Sequence, residues 1–137
     1  MVITTKHVNE SQMEEIAGLV QSEESMINLD ENDVKAILVG KEGIVYQAVQ
    51  DEGVDNRTFM KDFFDELKKK DQVRSCTSML ISLGVSQDTP LMMEDVEMIH
   101  DFIESFEADN LEVKWGLRKI KEDTRMTALT ICTQEVI

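Results

Sequence analysis

The stretch Ser78–Val85 constrains the fold of this chain more than any other part of the sequence. It reads SMLISLGV and is almost continuously apolar. A strand with one face in water would alternate apolar and polar residues, whereas an uninterrupted apolar run is typical of a central strand covered on both faces. We therefore expect a sheet with this strand in its core and helices packed on it.

Apolar residues recur every three or four positions on both sides of this run, which predicts two amphipathic main helices. The first ends in Lys68-Lys69-Lys70, where cations complement the helix dipole. The second carries acids on its other face, which we interpret as facing solvent, with a docking surface for a basic partner as the alternative. The residues of the apolar faces are Phe59, Phe63 and Leu67, then Met92, Val96, Ile99, Ile103 and Phe106. The acids of the second helix are Glu94, Asp95, Glu97, Asp101 and Glu104.

Three further stretches have the composition of strands. Gly43–Val49 is rich in branched and aromatic residues, and Leu111–Leu117 alternates apolar with polar residues. Met126–Thr133 follows a charged connection, and we expect it to pair with the preceding strand as a hairpin. With the central run, these stretches predict a sheet of four strands.

The start of the chain is expected to be helical. Ser11–Glu14 has the form of a capping box, and apolar residues at helical spacing follow it through Val20. Asp30 is placed to cap a second short helix that runs through Leu38. The predicted fold class is α/β (α+β), a four-stranded mixed sheet with two main helices packed on it, preceded by a short N-terminal helix. We expect a single domain over 1–137, with a helical segment at 1–40 and the sheet-and-helix body at 41–137.

Composition excludes several classes of function. The chain has 137 residues, a net charge of -14 and a pI near 4.4. Nucleic acids and anionic membranes both require a basic face, so neither is an expected partner. The sequence has no recognisable signal peptide and no apolar run of membrane-spanning length, and we expect a cytoplasmic protein.

Neither the cysteines nor the histidines form a pattern of metal ligands. Cys76 and Cys132 each lie in an apolar stretch, which predicts two reduced thiols in the core. His7 and His100 are isolated in the sequence. We therefore expect no metal and no cofactor.

Three stretches together resemble the C-terminal domain of FtsZ and, more distantly, of tubulins. The first is Ile27–Leu38, which contains an N-x-D-x-x-D pattern. The second is Met79–Leu83, which is followed by a turn and the acidic helix. The third is Asp109–Gly116 together with Arg125–Thr133. The resemblance runs from about Ile16 to Thr133, and it implies a four-stranded mixed sheet with two helices, preceded by the end of the family's central helix.

The resemblance gives the N-x-D-x-x-D loop a possible function. In the family this synergy loop enters the nucleotide pocket of the neighbouring subunit, where its carboxylates help position the water that attacks the γ-phosphate. Asn28, Asp30 and Asp33 match those positions. The alternative is structural: Asp30 is a helix cap and Asp33 a first-turn acid, both favoured by the helix dipole. The two interpretations are compatible.

The sequence also departs from the family. Its six glycines do not cluster, so the glycine-rich phosphate loop of the family's nucleotide-binding domain has no counterpart. We also expect no match to the family's partner-binding tail within these residues. We expect no enzyme activity of the chain on its own, and a protein-interaction module that binds FtsZ-type filament subunits or self-associates and modulates assembly or GTP hydrolysis in trans. The alternatives are a small-molecule-binding or catalytic domain with its site at a subunit interface, or a fragment of a longer FtsZ-like protein.

Overall fold

The computed structural model describes residues 1–20, 25–27, 29–86, 90–106, 111–120 and 125–135. The strands are β1 Thr4–Asn9, β2 Ser25–Ile27, β3 Lys41–Val49, β4 Ser78–Ser86, β5 Glu112–Ile120 and β6 Thr127–Glu135. The helices are α1 Met13–Val20, α2 Glu31–Leu38, α3 Asn56–Lys68, α4 Asp71–Arg74 and α5 Met93–Glu104, and a 3-10 turn at Glu10–Gln12 leads into α1.

The strands of the described residues form one mixed sheet in the order β1-β3-β6-β4-β5-β2. Only β4 and β5 run parallel, and the other neighbours are antiparallel. Every residue of β4 is buried, as its apolar run predicted. The predicted fold class is therefore confirmed, and the sheet has two strands more than the predicted four.

The predicted hairpin between the last two strands is wrong. Strand β6 lies between β3 and β4, with Ile131 opposite both Val45 and Leu80. Strand β5 pairs with the other edge of β4, so β4 separates it from β6. The physical reason is that a strand buried on both faces must satisfy its backbone groups along both edges. Helix α5 carries the chain across to a parallel β5, and β6 then returns to the free edge of β4.

The predicted helical segment 1–40 also contributes two strands, β1 and β2. Only Val8 of β1 is buried, so the strand has almost no apolar pattern and depends on its pairing with β3. The capping box before α1 involves other residues than predicted. Asn9 Oδ1 accepts a hydrogen bond from Ser11 N at 2.9 Å, and Gln12 Oε1 accepts one from Asn9 N at 2.9 Å.

Helices cover the sheet on both faces. Helices α1 and α2 pack on one face, and α3 and α5 pack on the other. The second face is aromatic: the rings of Phe64 on α3 and Phe102 on α5 stack with their centroids 4.4 Å apart. The core under α1 and α2 consists of Val8, Ile16, Ala17, Val20, Leu29, Val34, Ile37, Leu38, Val45, Leu80, Leu129 and Ile131.

Candidate functional site at the start of α2

The first turn of α2 is held by a reciprocal pair of aspartates. Asp30 Oδ1 accepts a hydrogen bond from Asp33 N at 3.1 Å, and Asp33 Oδ2 accepts one from Asp30 N at 2.9 Å. Each carboxylate therefore satisfies an amide that the helix itself leaves free. The prediction that Asp30 caps a helix through Leu38 is confirmed.

The segment before the cap is docked on the edge of the sheet. Ile27 pairs with Leu117 of β5, and the Leu29 side chain is buried. Gly116 makes this approach possible, because a Cβ built at that position would lie 2.6 Å from Leu29 Cγ and 2.7 Å from the carbonyl oxygen of Ile27. No side chain fits between strand and loop, so glycine is required there.

An ion pair fixes the second aspartate against the sheet. Lys114 Nζ on β5 lies 3.4 Å from Asp33 Oδ1, and both side chains are partly buried. On the outer side of α2, Lys35 Nζ is 3.8 Å from Glu31 Oε1, with both side chains about half exposed. The cap is thus anchored by β5 on its inner side and remains open to solvent on its outer side.

The structure brings two of the three predicted site residues together. Asp30 and Asp33 share the capping box and are both partly exposed. Asn28 lies outside the described residues. The structural role of the two carboxylates is established by these contacts, and their catalytic role in trans stays a prediction.

One acid of the predicted solvent-facing stripe on α5 is buried. Asp95 is only 4% exposed, accepts a hydrogen bond from Met92 N at 2.9 Å and pairs with Arg57 Nε at 3.2 Å. The pair links the starts of α3 and α5. Helical spacing alone could not identify it, because Asp95 occurs within a run of acids and its partner comes from a distant helix.

The other candidate ligands do not converge. No group of three or more His, Cys, Asp or Glu within the described residues could hold a metal ion. Cys76 and Cys132 are free and buried, as predicted. None of the helices in the described part of the chain combines the length and the hydropathy needed to span a membrane.

Solved structures of similar fold match this chain with TM-scores above 0.5. The chain matches TubZ of Bacillus thuringiensis serovar israelensis, solved as a GTPγS-form protofilament, with a TM-score of 0.61 over 93% of this chain at 13% identity. It matches an empty FtsZ dimer of M. jannaschii with a TM-score of 0.54 over 82% of this chain at 17% identity. The fold is FtsZ/tubulin-like.

The chain spans about a third of the length of those proteins, 34% of TubZ and 33% of FtsZ. A thiamine monophosphate kinase of Aquifex aeolicus also matches, at 19% identity over 71% of this chain and 35% of its own, with a lower TM-score of 0.41. No protein-family model matches the sequence, and neither does any curated protein.

Proposed function

We propose that this FtsZ/tubulin-like chain is a protein-interaction module that binds FtsZ-type filament subunits or further copies of itself. In this proposal it hydrolyses no GTP alone and changes the assembly or the GTP hydrolysis of its partner. The observation that carries the proposal is the fold likeness, over 93% and 82% of the chain, to proteins described as a protofilament and a dimer. Both descriptions are of subunits in contact with one another.

The start of α2 is the surface that we assign to the partner. Asp30 and Asp33 are held in place by their mutual hydrogen bonds and by Lys114 before any partner arrives. A carboxylate fixed in advance can orient a water molecule, or accept its proton, without a further ordering cost. This geometry supports a role at a phosphoanhydride that the partner holds.

The proposal places the nucleotide on the partner. The chain corresponds to about a third of the TubZ and FtsZ chains, and its described residues contain no group that we assign to a phosphate. If the same loop belongs to a longer protein, it would act between copies of that protein in the same manner.

The test measures GTP turnover and filament sedimentation of a cognate FtsZ-type GTPase with a molar excess of this chain. We expect the chain to alter one or both, and to release no phosphate from GTP when it is alone. The decisive variant is the double substitution Asp30→Asn, Asp33→Asn. Asparagine keeps the acceptor oxygen that caps a helix and removes the carboxylate, so this variant should still bind the partner and lose any stimulation of turnover.

Asp55→Asn is the matched control. Asp55 caps α3 by accepting a hydrogen bond from Thr58 N at 2.7 Å, and it lies outside the proposed surface. It should behave like the unmodified chain. If an excess of chain changes neither turnover nor sedimentation, and does not associate with itself, the proposed function is wrong. If stimulation survives in the double variant, the chain binds a partner but the carboxylates have no catalytic role.

A further inference from the structure

One edge of the sheet ends in an open strand. Strand β1 stands first in the strand order, and β3 is the only strand among the described residues that pairs with it. The pairing covers all six residues of β1 in one continuous register. Because backbone N–H and C=O groups alternate in direction along a strand, about half of those in Thr4–Val8 face away from β3. Such a row of backbone groups can pair with a further strand.

The opposite edge of the sheet is protected. Strand β2 has only three residues, and its register on β5 shifts within them. Short length and irregular register are two ways in which proteins keep sheet edges from pairing with other chains. Acids also lie beside this edge, because Asp30, Glu31 and Asp33 form the start of α2. Strand β1 is longer and regular, and it contains neither an acid nor a proline.

The edge formed by β1 is locally neutral in a strongly acidic chain. Lys6 is the only lysine, arginine or acid in the strand, and its Nζ lies 2.7 Å from Glu15 Oε1 on α1. The chain as a whole carries a net charge of -14, so two copies repel each other over most of their surfaces. Two β1 strands can meet without placing acid opposite acid.

We propose that β1 pairs with β1 of a second copy of this chain, so that the two sheets join at this edge into one. Antiparallel pairing about a twofold axis satisfies both rows of backbone groups with the same segment. An unrelated basic partner would instead be drawn to the acidic surfaces, such as that of α5. The inference names the surface for the self-association that the proposed function includes, and it rests on the proposed function in that respect alone.

Pairing at β1 leaves the start of α2 free. Asp33 is held by Lys114 of β5, and β5 and β2 lie at the other end of the strand order. The dimer therefore carries two α2 starts near the two outer edges of the joined sheet. In the proposed function, one dimer would hold two partner subunits.

The size of the contact sets its strength. A pair of six-residue strands is small beside the roughly 800 Å2 that each partner buries in a stable complex. We therefore expect a weak dimer that forms and dissociates with concentration.

The test measures the mass of the full chain by sedimentation equilibrium from roughly 10 µM to 1 mM, at about 0.15 M salt. We expect the weight-average mass to rise with concentration from 15.7 kDa toward twice that value. Amide hydrogen exchange then locates the contact: exchange within Thr4–Val8 should slow by about threefold or more at the high concentration, and exchange within β2 should not change. A mass of 15.7 kDa throughout would overturn the proposal. A dimer whose β1 amides exchange as fast as in the monomer would overturn it as well.

A charge added at the edge separates β1 from other surfaces. Thr5 is an exposed residue of β1, and Thr5→Glu places one carboxylate from each copy at the joined edge. The dissociation constant of the dimer should rise by about tenfold or more. Met93→Glu is the matched control, because Met93 is 76% exposed at the start of α5 and the variant has the same net charge. It should dimerise like the unmodified chain, and equal dissociation constants for the two variants would contradict the proposal.

Proline tests the backbone hydrogen bonds themselves. Thr4 and Thr5 are neighbours in the strand, so the N–H of one faces β3 and the N–H of the other faces outward. Of Thr4→Pro and Thr5→Pro, the variant that loses the inward N–H should melt at a lower temperature. The variant that loses the outward N–H should keep its melting temperature and stay monomeric. If the variant with the unchanged melting temperature dimerises like the unmodified chain, the pairing through β1 is wrong.

Failure of this inference differs from failure of the proposed function. A chain that stays monomeric but alters the GTP turnover of a cognate FtsZ-type GTPase would overturn the β1 dimer and leave the proposed function standing. A chain that dimerises through β1 without any effect on that GTPase would support the dimer and contradict the action on a partner in trans.

Discussion

Thr130 is fully buried in the middle of β6, opposite Tyr46 of β3 and Ile81 of β4. Its hydroxyl oxygen has no hydrogen-bond partner among the described residues. A buried hydroxyl without a partner loses its bonds to water and gains none in return. The free energy of unfolding should therefore be lower with Thr130 than with an apolar side chain of the same shape at this position.

Replacing Thr130 by valine should stabilise the protein. Thr130→Val keeps the shape and the β-branching and removes the unpaired hydroxyl, so we expect the free energy of unfolding to rise by about 1 kcal/mol. Urea denaturation followed by circular dichroism measures this difference. Thr133→Val is the control, because the equally buried Thr133 hydroxyl donates a hydrogen bond to the Ser78 carbonyl oxygen at 3.4 Å, and its loss should destabilise. A destabilised Thr130→Val variant would contradict the prediction.

The docking of β2 and the start of α2 on β5 depends on one close approach. Leu29 and the carbonyl oxygen of Ile27 pack directly against Gly116, and this contact fixes the position of Asp30 and Asp33. The position of α2 on the sheet is thus set by a residue outside the helix. The capping residues close the helix, and the glycine on a strand distant in sequence decides where the closed helix lies.

Gly116→Ala should loosen this docking. The added Cβ would meet a backbone oxygen at 2.7 Å, which a side-chain rotation cannot relieve, so we expect a loss of roughly 1–3 kcal/mol in the free energy of unfolding. Gly18→Ala is the matched control. Gly18 lies within α1 with nothing near its Cβ position, and alanine there should stabilise by up to about 1 kcal/mol because it favours helix. Equal stabilities of the two variants in urea would show that the close approach does not constrain the loop.

At the scale of the whole molecule, the net negative charge destabilises the folded state. The chain carries a net charge of -14, and most of its described ion pairs are exposed and individually weak. The surplus negative charges repel one another and so destabilise the folded chain. Salt weakens this repulsion, because the Debye length falls from about 30 Å at 0.01 M to about 3 Å at 1 M.

Added salt should therefore stabilise the chain. We expect the melting temperature to rise between roughly 0.01 M and 0.5 M sodium chloride, with a gain on the order of 1 kcal/mol in the free energy of unfolding. The double variant Glu97→Lys, Asp101→Lys reverses two exposed charges on α5 and should show a smaller salt effect. A melting temperature that falls with salt would mean that the surface ion pairs outweigh the net repulsion.

Local patterns in the sequence predicted the elements that carry their own signal. Strand β4 is recognisable because burial on both faces leaves an uninterrupted apolar run, and α3 and α5 because one buried face imposes helical spacing. The start of α2 could be placed to the residue, since capping is a local interaction between Asp30 and Asp33. The resemblance to the FtsZ family predicted the overall fold, and the structural likeness to TubZ and FtsZ confirms it.

Tertiary structure alone decided the features that join distant parts of the chain. Three such features are the order of β6, β4 and β5, the pairing of β1 with β3, and the burial of Asp95 beside Arg57. Each depends on a partner far away in sequence. Residue type and spacing describe what a segment would bury, but not which segment covers it. That choice is made by the packing of the whole chain, because backbone pairing and burial must be satisfied everywhere at once.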